Sequence, residues 1–137
     1  QHTDAVIAAM GNPQIDVIGH PDNALYPLDY EAFVRAVERE NKLVEVNNHS
    51  FSGVRQGSKE NYPRILKLCK QYNVRVCVAS DAHFCAMVGE FSHAEEMLRK
   101  LDFPQELVVS HSLPEFSVYL EERRRRLSGQ PALYKPI

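Results

Sequence analysis

The sequence predicts an α/β fold in which parallel strands are joined by helical crossovers. Short apolar runs alternate along the chain with segments of helical periodicity, the pattern of repeated strand-helix units. Strands joined by helices pair in parallel, because each crossover returns the chain to the same end of the sheet. Chemically versatile residues directly follow the strands: His20 after one, and Asp81 and His83 after another.

Strands are expected over residues 17–20, 43–47, 75–79 and 107–110. Four strands with covering helices form either a small open α/β sheet or half of a barrel, and periodicity does not choose between them. No linker divides the chain. The sequence therefore predicts one domain over residues 1–127, followed by a loose tail over residues 128–137 that contains glycine and two prolines.

Helices are expected in the intervening segments. Asp29 is placed to cap a helix over residues 30–40, and Pro63 requires the helix predicted over 59–72 to start late enough to hold proline in its first turn. The capping-box patterns Ser92 to Glu95 and Ser112 to Glu115 predict two more helices. Those helices end near residues 101 and 127, and the first helix of the chain is expected over 3–10.

Composition limits the possible partners. The net charge of -2 predicts no attraction to nucleic acid or to an anionic membrane, and no apolar run approaches the roughly 20 residues of a membrane span. The basic run 123–126 follows Glu121 and Glu122, which favours helical ion pairs between residues four apart. Three cysteines at spacings of eight, without a CxxC pair, indicate reduced thiols in a cytoplasmic protein.

His20, Asp81 and His83 are the candidate metal ligands. Side chains that follow parallel strands gather at the carboxyl end of the sheet, where ligands bind in such folds. Imidazole and carboxylate suit zinc, manganese or iron and leave room for water. The alternative is structural, because Asp is also common in turns.

The loop over residues 48–58 is a candidate substrate-binding segment. Arg55 could hold a phosphate through its guanidinium fork, and Asn48 and Ser50 offer further polar contacts. The alternative is an ordinary solvated loop.

Three blocks in order resemble the PHP (polymerase and histidinol phosphatase) family, and most closely its small stand-alone YcdX-like phosphatases. They are Gly-His-Pro-Asp-Asn at 19–23, Glu-Val-Asn-Asn at 45–48 and Ser-Asp-Ala-His at 80–83. The resemblance implies a distorted (β/α)7 barrel that binds three metal ions, usually zinc, and hydrolyses a phosphorylated small molecule. It further implies Asp81 as a ligand of the first metal, His20 of the second and His83 of the third.

The resemblance is incomplete, because the family's early His-x-His motif is absent from this sequence. The chain is therefore expected to be the carboxyl-terminal part of a PHP barrel, inactive alone because each metal would keep one ligand. Half a barrel would also self-associate through exposed strand residues, namely Val17, Val46, Val76, Val78 and Val108. A non-catalytic α/β binding module and a metal hydrolase acting on C–N bonds remain alternatives.

Overall fold

The computed structural model describes residues 1–52 and 57–128, and shows an α/β arrangement of three strands and five α-helices within those ranges. Three short 3-10 turns lie between these elements, at Asn48–Ser52, Cys85–Met87 and Gln105–Leu107. The elements in chain order are α1 (His2–Met10), β1 (Val17–Ile18), α2 (Tyr30–Arg39), β2 (Leu43–Asn47), α3 (Tyr62–Gln71), β3 (Val76–Ala79), α4 (Ser92–Lys100) and α5 (Leu113–Leu127).

The sheet is parallel throughout, in the order β1-β2-β3. Val17 pairs with Leu43, and Val44 pairs with Val76. The α/β class with parallel strands and helical crossovers is thus confirmed. None of the described helices is both long enough and apolar enough to cross a membrane.

The fourth strand predicted over residues 107–110 is wrong. That segment forms a 3-10 turn and then one parallel bridge, between Val108 and Val76. Val109 N–H donates to the Val76 carbonyl at 3.0 Å, but the next ladder position is taken by a side chain, because Val78 N–H donates to the Ser110 hydroxyl at 2.8 Å. The hydroxyl replaces a backbone carbonyl there, so the ladder does not continue.

The first strand is shorter than predicted for a similar reason. β1 ends at Ile18, and His20 has a φ of 48°, which takes the chain out of the extended conformation. The His20 N–H donates to the Glu45 carboxylate on β2 at 2.7 Å. A side chain again takes the hydrogen bond that a longer ladder would have made.

Two of the predicted helix starts are confirmed by their capping contacts. The Asp29 carboxylate accepts from Ala32 N–H at 3.1 Å, and the Ser112 hydroxyl accepts from Glu115 N–H at 3.4 Å. Pro63 lies in the first turn of α3, as its chemistry requires.

The capping box predicted at Ser92 is wrong. Ser92 is the first helical residue of α4, Phe91 is the N-cap, and no side chain of α4 makes the cap. The Asn48 side chain, distant in sequence, instead accepts from Ala94 N–H at 2.9 Å. A long-range contact therefore does what the local pattern was expected to do.

The main core lies on one face of the sheet. Alternate residues of the strands, among them Val44, Val46 and Val76, pack with the apolar faces of α2 and α3, and all three are fully buried.

The predicted exposure of the strand valines is wrong for Val46, Val76 and Val108, which are buried, and Val78 is half-buried. Self-association itself stays a prediction. Val17, on the edge strand, is 40% exposed.

The opposite face is covered near its amino-terminal edge by α5, whose Tyr119 packs on Leu43 and Val109. Polar contacts fix this helix: Arg123 Nε lies 2.6 Å from Asp16, and Arg75 lies 2.8 Å from Glu122.

The helical ion pairs expected in α5 form only in part. Glu121 pairs with Arg125 at 3.8 Å. Glu122 pairs with Arg75, and Arg126 contacts Asp16 and the Asn41 carbonyl. Glu122 and Arg126, which were expected to pair with each other within the helix, therefore bind residues outside it.

Candidate functional site

Three side chains meet where the parallel strands end. His20 follows β1, Glu45 lies on β2, and Asp81 follows β3. We call these three residues the His20 cluster. The parallel register brings them to one edge of the sheet, the edge at which ligands bind in parallel α/β folds.

The imidazole of His20 lies between two carboxylates. Its Nδ1 is 3.7 Å from Glu45 Oε2, and its Nε2 is 3.8 Å from Asp81 Oδ2. The side chains are 34%, 16% and 27% exposed for His20, Glu45 and Asp81, so the cluster is neither sealed nor fully solvated. Two carboxylates beside one ring make this edge of the sheet favourable for a positively charged occupant.

His20 and Asp81 both have left-handed backbones, with φ of 48° and 52°. Residues with side chains avoid this region, and it persists only where the surrounding structure enforces it. These two turns directly follow β1 and β3, and beyond them His20 Nε2 lies 3.8 Å from Asp81 Oδ2.

Glu45 is the member of the cluster that was not predicted as a metal ligand, although it opens the Glu-Val-Asn-Asn block at 45–48. It lies between Val44 and Val46, which are buried under the helices, so the alternation of β2 places it on the opposite face. A carboxylate inside a largely buried strand is a signal that could have identified it, because such a position normally carries an apolar residue.

His83 lies apart from this contact. It is exposed, and its ring lies 4.9 Å from that of His49, centroid to centroid. His49 was not assigned a role from the sequence. Its Nδ1 is buried and makes no hydrogen bond within residues 1–52 and 57–128. The structure thus joins His20 with Asp81 directly and pairs His83 with a second histidine.

The donor types fit a zinc-like ion, but the described residues do not complete a site. No group of three His, Cys, Asp or Glu side chains in the described part of the chain is arranged to hold a metal ion. The cluster offers one imidazole and two carboxylates, which are three donors by type. They do not converge on one point, whereas the roughly three ligands of a catalytic zinc ion each lie ~2 Å from it.

The three candidate substrate residues have different surroundings. Asn48 is buried, and its side-chain oxygen is engaged by Ala94 N–H. Ser50 is buried, its N–H donates to the Asn47 side chain, and its hydroxyl has no partner among the described residues. Arg55 lies outside the described residues. Their roles toward substrate stay predictions.

Tyr62 stabilises the end of β2, the strand that carries Glu45. Its hydroxyl accepts from Asn47 N–H at 2.8 Å and lies 3.3 Å from the Glu45 carbonyl, so it braces the end of β2. Burial raises the pKa of Tyr62 strongly, and the nearby Asp22 carboxylate raises it further. The phenol therefore stays protonated and keeps both contacts across the physiological pH range.

Two surface cavities differ in their relation to this edge. A cavity of about 330 Å³ lies beside the His20 cluster, lined by residues that include His20, Ile18 and Tyr26. A larger cavity of about 510 Å³ lies between α4 and the segment after it, and includes neither His20 nor Asp81. The smaller cavity is the one with access to the cluster.

Comparison with curated proteins shows similarity to bacterial proteins named as probable phosphatases. One from Caldanaerobacter subterraneus is 42% identical over 129 residues, which is 94% of this chain and 51% of that protein. One from Acetivibrio thermocellus is 40% identical over 127 residues, or 93% of this chain and 52% of its own. One from Caldicellulosiruptor bescii is 45% identical over 120 residues, or 88% and 50%.

The chain spans about half the length of these curated relatives. No protein-family model matches it.

Proposed function

We propose that this chain is the carboxyl-terminal part of a PHP-type, metal-dependent phosphatase. The observation that carries the proposal is the His20 cluster, an imidazole between two carboxylates at the carboxyl ends of three parallel strands. The names of the relatives support hydrolysis of phosphate esters. The three sequence blocks support the family.

The strand order supports a sector of a barrel. The order β1-β2-β3 follows the chain without reversal, and the Val108 bridge extends it in the same direction. A complete doubly wound sheet reverses direction at a switch point between its halves, and no reversal occurs among β1, β2 and β3. The proposed whole is a distorted (β/α)7 barrel, of which this chain supplies consecutive units.

His20, Asp81 and His83 are proposed as ligands of three separate ions, zinc in the first instance and manganese or iron as alternatives. A bound divalent ion would lower the pKa of its water and polarise a phosphoryl oxygen. Within the chain, the Glu45 carboxylate accepts a hydrogen bond from the His20 backbone N–H and lies beside the His20 ring. These two contacts orient the imidazole toward the edge of the sheet. The missing ligands would come from residues beyond this sequence.

The proposed substrate is a phosphorylated small molecule in the cytoplasm, contacted by Asn48, Ser50 and Arg55. The net charge of -2 offers no general attraction to nucleic acid. Guanidinium and hydroxyl groups are suited to a phosphate ester.

The proposal is tested by comparing this chain with a chimera in which it replaces the matched half of the Caldanaerobacter relative. We expect the chimera to hydrolyse p-nitrophenyl phosphate with added zinc or manganese, and the 137-residue chain alone to show no turnover, because one ligand per metal does not hold a catalytic ion. Equal metal-dependent turnover by the short chain would contradict the ligand assignment.

A further inference from the structure

His49 and His83 meet at the carboxyl edge of the sheet, although they follow different strands. His49 lies in the 3-10 turn directly after β2, and His83 lies in the segment after β3. These strands are parallel neighbours in which Asn47 pairs with Ala79, so the segments that leave them start side by side. The two rings lie 4.9 Å apart, centroid to centroid, with an interplanar angle of 42°. We call these two residues the histidine pair.

The spacing of the histidine pair is the one expected of two imidazoles that bind a single metal ion. A ring nitrogen lies ~2 Å from a bound zinc ion, and neighbouring bonds to the ion diverge by roughly 90–110°, which puts the two ring centres about 5 Å apart. Rings that merely pack against each other also have centroids roughly 4.5–7 Å apart. The spacing therefore permits a shared ion, and a second observation is needed to favour one.

That second observation is a buried ring nitrogen without a hydrogen bond. His49 Nδ1 is buried, and no donor or acceptor within residues 1–52 and 57–128 bonds to it. Buried polar atoms without a partner are rare, and a bound ion or water is one of the ordinary explanations where one occurs. Simple packing of the two rings leaves this nitrogen unsatisfied, whereas coordination to an ion satisfies it.

The turn that carries His49 is held in place by the fold. The Ser52 hydroxyl donates to the His49 carbonyl at 2.6 Å, and the buried side chain of Asn48 accepts from the first turn of α4 at 2.9 Å. A ring on a fixed turn loses little conformational entropy when it binds a ligand. His83 is exposed, so its side of the pair is open to an ion from solvent.

We propose that the histidine pair binds a transition-metal ion, zinc or nickel, within this chain. Imidazole nitrogen suits these ions, whereas magnesium and calcium take oxygen ligands. The carboxylates of Glu45 and Asp81 at the same edge of the sheet favour a cation there. No group of three His, Cys, Asp or Glu side chains among the described residues is arranged to hold an ion, so water fills the remaining positions and binding is weak.

The site does not depend on the proposed phosphatase activity. In a complete barrel it would give the ion proposed at His83 a second ligand, His49, which the three sequence blocks do not assign. Two ligands are still fewer than the roughly three of a catalytic zinc ion, so the chain alone is expected to bind zinc without turnover.

A zinc titration of the chain, followed by NMR of the imidazole nitrogens, tests the proposal. Each of the six histidines gives its own signals, so the ring that binds is identified directly. We expect the signals of His49 and His83 to shift together, at the same zinc concentrations. The signals of His2, His93 and His111 should stay unchanged. Magnesium at equal concentration should shift neither ring of the pair.

Histidine variants locate the ion. His49→Ala and His83→Ala should each weaken zinc binding at the remaining ring by roughly ten-fold or more, because each removes one of two ligands. Circular dichroism establishes that each variant is folded, and His83→Ala, at an exposed position, remains informative if His49→Ala does not fold. His93→Ala is the matched control, since that histidine is exposed on α4 and its loss should leave the titration unchanged.

His20→Ala separates the histidine pair from the His20 cluster, and the joint shift should survive this substitution. Loss of the joint shift in His20→Ala, or zinc that shifts the His83 signal without that of His49, would overturn the proposal. Signals of the pair that stay unchanged at ~1 mM zinc would also overturn it, and would leave a buried water as the partner of His49 Nδ1. A chimera that is active while this chain binds no zinc at the pair would overturn the site and leave the proposed function intact.

Discussion

His20 and Asp81 adopt left-handed conformations at the ends of short strands, where extended backbone would otherwise be expected. At His20 the cause is visible, since the Glu45 carboxylate takes the N–H that would extend the ladder. Single side chains thus decide where the strands stop, and the same contacts form the candidate site. Strand length and site geometry are set together in this molecule.

Tyr62 is the residue whose loss should disturb this edge most selectively. Tyr62→Phe leaves the buried Asn47 N–H without its acceptor, which is expected to cost about 1–3 kcal/mol of unfolding free energy. Urea denaturation measures the change. Tyr72→Phe is the matched control, because that phenol bonds Glu31 at the surface, and its loss should change the unfolding free energy little. Equal effects of the two substitutions would contradict the bracing role of Tyr62.

Cys69 should make the fold sensitive to alkali. Burial raises the pKa of its thiol from 9.0 to about 12. Between these values the unfolded state binds fewer protons than the folded state, so stability falls as pH rises, approaching ~1.4 kcal/mol per pH unit for one group. Urea denaturation of Cys69→Ala between pH 9 and 10 should show a shallower decline than the unaltered chain.

Cys85→Ala is the control for the alkaline prediction, because that cysteine is exposed and should leave the decline unchanged. An equally steep decline in Cys69→Ala would show that the thiol does not remain buried and protonated.

Helix α4 shows how a long-range contact replaces a local signal. Asn48→Ala removes the side-chain acceptor of Ala94 N–H and is expected to cost about 0.5–2 kcal/mol, the usual effect of losing an N-cap. Ser92→Ala removes a hydroxyl that makes no cap contact and should be close to neutral. Thermal or urea unfolding measures the stability of both variants. A larger loss of stability in Ser92→Ala than in Asn48→Ala would show that the local capping box forms after all.

The elements that the sequence predicted well are those with local causes. Helix α2 follows from the Asp29 cap and from an apolar stripe, and α3 starts where Pro63 fits. The fourth strand failed because its ladder depends on where Ser110 meets β3, a contact between residues 32 positions apart. Local pattern does not contain that information.

The candidate site, like the fold, was predictable only in part. Strand-end placement pointed to His20 and Asp81, which lie together, because parallel strands bring their ends to one edge. The contact of Glu45 with His20 depends on the register of β1 against β2, and the contact of His83 with His49 depends on how the segments after β2 and β3 meet. Neither can be computed from a spacing in the sequence.

At the scale of the whole molecule, the two faces of the sheet are covered by different helices. One face is packed by α2 and α3, while the other is covered near its amino-terminal edge by α5 through the Asp16 and Arg75 ion pairs. The edge that carries the His20 cluster is partly open. A part of a phosphatase barrel would need this edge accessible, both to further ligands and to substrate.

Turnover of the chimera with the Caldanaerobacter relative tests the central claim most directly. We predict hydrolysis of p-nitrophenyl phosphate that a chelator abolishes, and a loss of at least about a hundred-fold in Asp81→Asn, the scale of removing a group that acts on the reacting atoms. Asp102→Asn, at a fully exposed aspartate paired with Lys70, should keep full activity. A folded chimera whose turnover survives Asp81→Asn, or is unaffected by the chelator, would contradict the account.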